Sequence, residues 1–163
     1  MSDYRDEHPI CPLTHHNDPD RPRRTTPGAR ICHGHYQRLG DDLAALPALH
    51  AELSAHLHAT GSGPGRGDGD DGLNLNTAVL DARHHIRNSL VTWVRIVLEE
   101  GPGDHAPDDD LPTIAAWLNA RLSWLANQDW TPALCREWRD NVAEARSLIQ
   151  PNSVYRVELG PCP

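Results

Sequence analysis

Residues 73–100 read LNLNTAVLDARHHIRNSLVTWVRIVLEE. Val79, Ala82, Ile86, Leu90, Trp93 and Val97 recur there at three- and four-residue spacing, so one stripe of a helix would be apolar. Asn76 stands just ahead of the stripe and is an N-cap type, with an amide oxygen able to accept from the first turn. The segment EGPGDHAPDDD, residues 100–110, breaks this helix and supplies acids and an N-cap to the next, with Pro112 in its first turn. Ile114, Trp117, Leu118, Arg121, Leu122 and Leu125 carry the second pattern, which is expected to end near Asn127. Thr131 is expected to cap a third helix that has Pro132 at its first position. Leu134, Trp138, Val142, Ala145 and Ile149 make that helix's stripe, and Pro151 ends it. Three amphipathic helices joined by short loops predict a bundle over residues 73–150. Its core should bring together Ile86, Leu90, Trp93, Leu118, Leu125, Leu134, Trp138 and Val142. The alternation in SVYRVELG predicts an extended tail over 151–163.

Upstream, residues 60–72 (TGSGPGRGDGDDG) are glycine and polar residues throughout, the composition of a flexible linker. A helix is expected from near Cys32 through Tyr36, Leu39 and Leu43. Pro47 falls inside the continuing pattern Leu46, Leu49, Leu53, Leu57, so a kink or restart is expected there. Residues before about 30 have no hydrophobic period. The fold class expected is therefore mainly α. A zinc-binding arm and kinked helix (1–59) and the linker (60–72) would precede a three-helix bundle (73–150) and the extended tail.

The chain has 163 residues, a net charge of -8, fifteen arginines and no lysine. Surplus acid argues against coating nucleic acid nonspecifically, because phosphate binding needs cations. The charge is uneven: Arg21, Arg23, Arg24, Arg30 and Arg38 fall in 21–38 with no acid among them. No apolar run approaches the ~18 residues of a membrane helix, and no signal-peptide core is present, so a soluble cytoplasmic protein is expected. In such a compartment four cysteines favour metal binding or burial over disulfides.

The chemistry-bearing pattern lies in CPLTHHNDPDRPRRTTPGARICHGHY, residues 11–36. Cys11-x3-His15 and Cys32-x2-His35 are two short ligand pairs across a loop, a set that suits tetrahedral zinc. His8, His16 and His33 compete for the histidine positions. With all four ligands from protein, such a site is closed and structural. Metal binding would supply the order that an arm so poor in apolar residues lacks. Asp81, His84 and His85 lie within little more than one helical turn and are the sole support for an enzyme; a solvated helix face explains them as well. His50, His56 and His58 read as solvated too. Of the five tryptophans at least three are expected in the core, and Cys135 is expected to be buried. Cys162 stands in GPCP at the end of the sequence. No phosphate-binding glycine loop, G-x-S-x-G or H-E-x-x-H occurs.

The order of these features resembles a family of uncharacterised proteins of actinobacteria and their phages. That family has an N-terminal zinc-ribbon-like element, a helix of the form LAALPALHAEL, a low-complexity linker, and a helical domain opened by LNL. AAWLNARLSWLANQDW here also resembles it. An alphabet without lysine or phenylalanine fits a GC-rich coding sequence of that kind. In longer relatives a Gly-Pro-Cys opens a second zinc ribbon followed by a predicted helix-turn-helix; here Cys162 is followed by Pro163 alone. The expectation is a non-enzymatic, zinc-stabilised binding protein in phage or host nucleic-acid regulation. Arg21, Arg23, Arg24 and Arg30 would contact DNA or RNA phosphate, and the acidic bundle would hold a protein partner. The alternative is an adaptor or assembly module without nucleic-acid binding.

Overall fold

A computed structural model describes residues 8–13, 22–57 and 76–150. The expected linker, the expected tail and Cys162 lie outside these residues. The elements are α1 (His33–Leu53), a 3-10 turn (Ser54–His56), α2 (Thr77–Glu100), α3 (Leu111–Asn119), α4 (Leu122–Leu125) and α5 (Thr131–Ile149). The fold is mainly α. Among the described residues no strand forms, and Ile10 and Arg24 make an isolated antiparallel bridge.

α2 follows its sequence pattern closely. The Asn76 side chain accepts from the Val79 N–H, and Val79, Ala82, Ile86, Leu90, Trp93 and Val97 are buried. Asp110 caps α3 in the same way, accepting from the Thr113 N–H at 3.0 Å.

The helix expected to continue to Asn127 breaks at Ala120–Arg121, where Arg121 leaves helical geometry (φ -113, ψ 13). Its guanidinium donates to the Trp117 carbonyl at 2.9 Å and lies 3.7 Å from the centroid of the Trp117 ring. The side chain thus claims the carbonyl that the Arg121 N–H would take in a continuing helix, and that N–H bonds Leu118 instead. The break turns both Leu122 and Leu125 inward. Thr131 also differs from expectation, being the first residue of α5 and not its cap. Its hydroxyl is fully buried and needs acceptors, which it finds in the carbonyls of Leu125 (2.6 Å) and Gln128 (2.7 Å). It therefore ties the end of α4 to the start of α5.

α1 corrects two expectations. It runs unbroken through Pro47 with no restart. Leu39 and Leu43 before the proline and Leu46, Leu49 and Leu53 after it fall on one buried stripe, so packing favours helix on both sides of it. Nor is α1 part of an appendage. It packs against α5 most extensively, and against α2 and α3. Its leucines share one hydrophobic core with Ile86, Leu90, Trp93, Leu118, Leu125, Leu134, Trp138 and Val142. Cys11, Leu13, Ile31 and Cys32 belong to that same core. The bundle expected over 73–150 is thus completed by a helix from the other side of the linker.

Trp93 and Trp138 are the buried tryptophans, two where at least three were expected. Trp117, Trp124 and Trp130 are half-buried at the margin of the core, with Trp130 against Trp93 (4.7 Å between centroids) and Trp124 (5.8 Å). No helix among the described residues is long and apolar enough to cross a membrane.

Candidate metal centre

The arm is built by pairing and one turn. Cys11 donates its N–H to the Arg23 carbonyl at 2.8 Å, and Thr25 donates to the Pro9 carbonyl at 2.9 Å, so residues 9–11 run beside 23–25. Thr26-Pro27-Gly28-Ala29 then reverses the chain, with the Ala29 N–H bonded to the Thr26 carbonyl at 3.0 Å. Proline in the second place and glycine at φ +73 in the third make this a type II turn. Beyond it Ile31 is fully buried and anchors the arm, which delivers Cys32 to the start of α1.

Cys32 occupies the N-cap of α1 without making a side-chain cap bond, and His35 lies three residues on, inside the first turn. Cys11, Cys32 and His35 are all buried, and their ligand atoms lie within 4.8 Å of one another. The His35 Nδ1 is 3.6 Å from the Cys11 Sγ and 3.5 Å from the Cys32 Sγ. The Cys32 N–H donates to the Cys11 Sγ at 3.3 Å. Burial pushes the Cys11 thiol above its ordinary range; the N–H groups of Leu13 and Cys32 oppose the rise, and the Cys32 sulfur adds to it. Two buried sulfurs side by side cannot both ionise unless a cation lies between them. The arrangement could hold a metal ion.

Of the four ligands expected, three therefore converge, and His15 lies outside the described residues together with His16. Neither His8 nor His33 joins the cluster, and His33 is exposed on α1. Among the arginines expected to meet nucleic acid, Arg21 is outside the described residues and Arg23 is exposed. Arg24 donates to the His8 carbonyl at 2.8 Å. Arg30 docks the arm on the bundle: its N–H bonds the Ala126 carbonyl, its Nε the Asn127 carbonyl, and its guanidinium the Asp129 carboxylate at 2.7 Å. Asp81, His84 and His85 are exposed on α2, with the His85 Nδ1 3.4 Å from a Glu144 carboxylate oxygen.

Cys135 is buried as expected, but sequence spacing gave no sign of its position. It lines, with His35, Pro12 and Leu13, a small cleft of about 210 Å³ beside the cluster. Its neighbourhood depends on the packing of α5 against α1, and Cys135 itself is about a hundred residues from Cys32 in sequence. Comparison of the chain with protein-family models, with curated proteins and with solved structures finds no match.

Proposed function

We propose that the chain is a non-enzymatic binding protein whose arm is fastened to the helical bundle by one structural zinc ion, held by Cys11, Cys32, His35 and His15. The observation that carries this is the spacing of the three buried ligand atoms. With Zn–S bonds of ~2.3 Å and Zn–N bonds of ~2.0–2.1 Å, a tetrahedral ion sets its sulfur and nitrogen ligands ~3.6 Å apart. Both sulfur–nitrogen separations here, 3.6 and 3.5 Å, match that edge. A single imidazole nitrogen donates or accepts one hydrogen bond and has no reason to face two thiols, whereas a shared ion explains both contacts. The N–H groups of Leu13 and Cys32 that point at the Cys11 sulfur would support a thiolate ligand.

The zinc-held arm would present arginine to nucleic-acid phosphate, in the cytoplasm of a bacterial host. What supports this is the basic run itself, with Arg23 exposed at its end. The adaptor reading keeps its own support, a largely apolar cleft of about 530 Å³ between α1 and α3, lined by Leu43, Ala44, Pro47, Ala48, Ala115 and Ala116.

Metal content of the purified chain by mass spectrometry tests the first part. One zinc per chain is expected, and cobalt substitution should give thiolate-to-metal charge-transfer absorption that Cys32→Ser weakens and Cys11→Ser/Cys32→Ser removes. A chain that takes up no ion, or a cobalt spectrum without thiolate bands, defeats the metal assignment. Titration of a labelled oligonucleotide at two salt concentrations tests the second: binding that weakens steeply with salt supports phosphate contact, and no binding leaves the adaptor reading in its place.

A further inference from the structure

We propose that the seam between α1 and α5 is a phosphate-binding cleft formed by Arg38, Arg139 and Arg146, continuous with Arg23 of the arm. It deepens the nucleic-acid reading above and rests on that reading for the source of the phosphate.

The argument begins with how the arginines are used. Arg24, Arg30, Arg83, Arg87, Arg95 and Arg121 each have a partner: a backbone carbonyl for Arg24, Arg83 and Arg121, and a carboxylate for Arg30, Arg87 and Arg95. The side chains of Arg23, Arg38, Arg136, Arg139 and Arg146 make no hydrogen bond or ion pair among the described residues. The unpaired ones are not scattered. All lie on the arm, α1 or α5, and α1 and α5 form the most extensive helix contact among the described residues.

Three of them converge. Arg38 from α1 and Arg139 and Arg146 from α5 line a cleft of about 520 Å³ together with Asp41 and Asp42. Asp42, half-buried, lines the same cleft. Burial pushes its carboxyl up, and the charges of Arg139, Arg38 and Arg146 oppose the rise, so its carboxylate feels all three. Arg23 extends the surface. A Cβ on Gly34 would meet its guanidinium at 3.1 Å, and Gly34 lies one turn before Arg38 on the same face of α1. At the other side Arg139 also lines the neighbouring small cleft, together with Arg136.

The three guanidinium groups of the cleft repel one another, and the two carboxylates beside them, in contact with none of the three, offset that only in part. An anionic ligand would offset that repulsion. Arginine suits phosphate because its planar fork donates two parallel hydrogen bonds to neighbouring oxygens. The two aspartates make the cleft selective for a ligand reached by several guanidinium groups at once, since a single one is outweighed by the adjacent carboxylates.

The test uses the full chain with zinc and labelled single-stranded and duplex oligonucleotides, at about 50 and about 200 mM salt. Arg38→Gln/Arg139→Gln is compared with Arg87→Gln/Arg95→Gln, which removes the same charge from α2. The cleft variant should lose roughly tenfold or more in affinity, with a salt slope lower by about two phosphate contacts, and the α2 variant should stay within about twofold of the parent. Equal losses in both variants, or a cleft variant that binds like the parent, overturn the proposal. Circular dichroism and zinc content establish that the variants are folded; if the double variant is not, Arg146→Gln, exposed in the last turn of α5, takes its place. Should the parent bind no oligonucleotide, the nucleic-acid reading fails by itself, and calorimetry with pyrophosphate then decides the cleft. Binding that Arg38→Gln/Arg139→Gln abolishes retains a site for free phosphate esters; no binding overturns it.

Discussion

Cys135 is a buried thiol in the cleft beside the Cys11–Cys32–His35 cluster, and its surroundings set its reactivity. Around Cys135 burial dominates and pushes the thiol up to about 12, with Arg139 opposing and the Cys11 sulfur adding to the rise. At pH 8 roughly one molecule in ten thousand would carry the thiolate there, and the thiolate is the reactive form. Cys135 should therefore resist iodoacetamide in the native protein and be labelled once denaturant is added, as peptide mass spectrometry would show. Labelling of Cys135 at the rate of a free thiol in the native chain would mean that the α1–α5 seam opens. At this scale the Cys11–Cys32–His35 cluster was legible, because the Cys32-x2-His35 spacing leaves a local trace in the sequence. The roles of Arg24 and Arg30 were not. Both sit in a run that reads as uniformly basic, and only the folded arm shows one bonded to the His8 carbonyl and the other to Asp129.

At the scale of elements, periodicity located the helices and failed where a side chain competes with the backbone. Arg121 ended α3 by taking the Trp117 carbonyl, and the Thr131 hydroxyl turned away from capping toward the carbonyls before it. A propensity rule cannot anticipate either, since each depends on where a neighbouring turn places an acceptor. Pro47 is the opposite case: local chemistry allowed a kink or a restart, and the helix continues through it with its leucine stripe buried on both sides. The proline still denies the Leu43 carbonyl its helical donor. Pro47→Ala restores that donor and relieves the ring's contact with the preceding turn, so α1 should gain stability, by up to about 3 kcal/mol less whatever packing the ring contributes. Urea denaturation measures this as a shift in midpoint. A destabilised variant would mean that the ring's contacts in the α1–α3 cleft outweigh the lost hydrogen bond.

For the whole molecule, what matters is that the arm and the bundle share one core. The linker composition of 60–72 invites a division into two independent parts, and on that division removing the metal would disorder residues 8–36 while the bundle stayed folded. The packing argues otherwise. Cys11, Leu13, Ile31 and Cys32 are buried in the same cluster as Leu39, Leu43 and Trp138, and Arg30 docks the arm on the loop before α5. An ion that binds the folded state stabilises everything that folds with it, by about 4 kcal/mol when free metal exceeds its dissociation constant a thousandfold. For a chain of this size each kcal/mol moves the melting temperature by roughly 2–4 °C, so chelation should lower it by about 10 °C or more. The α-helical signal at 222 nm should melt in a single transition with and without chelator, because no part of the core unfolds alone. Two separated transitions after chelation, the later one at the original temperature, would show that α2, α3 and α5 stand without the arm and would restore the division that the linker suggests.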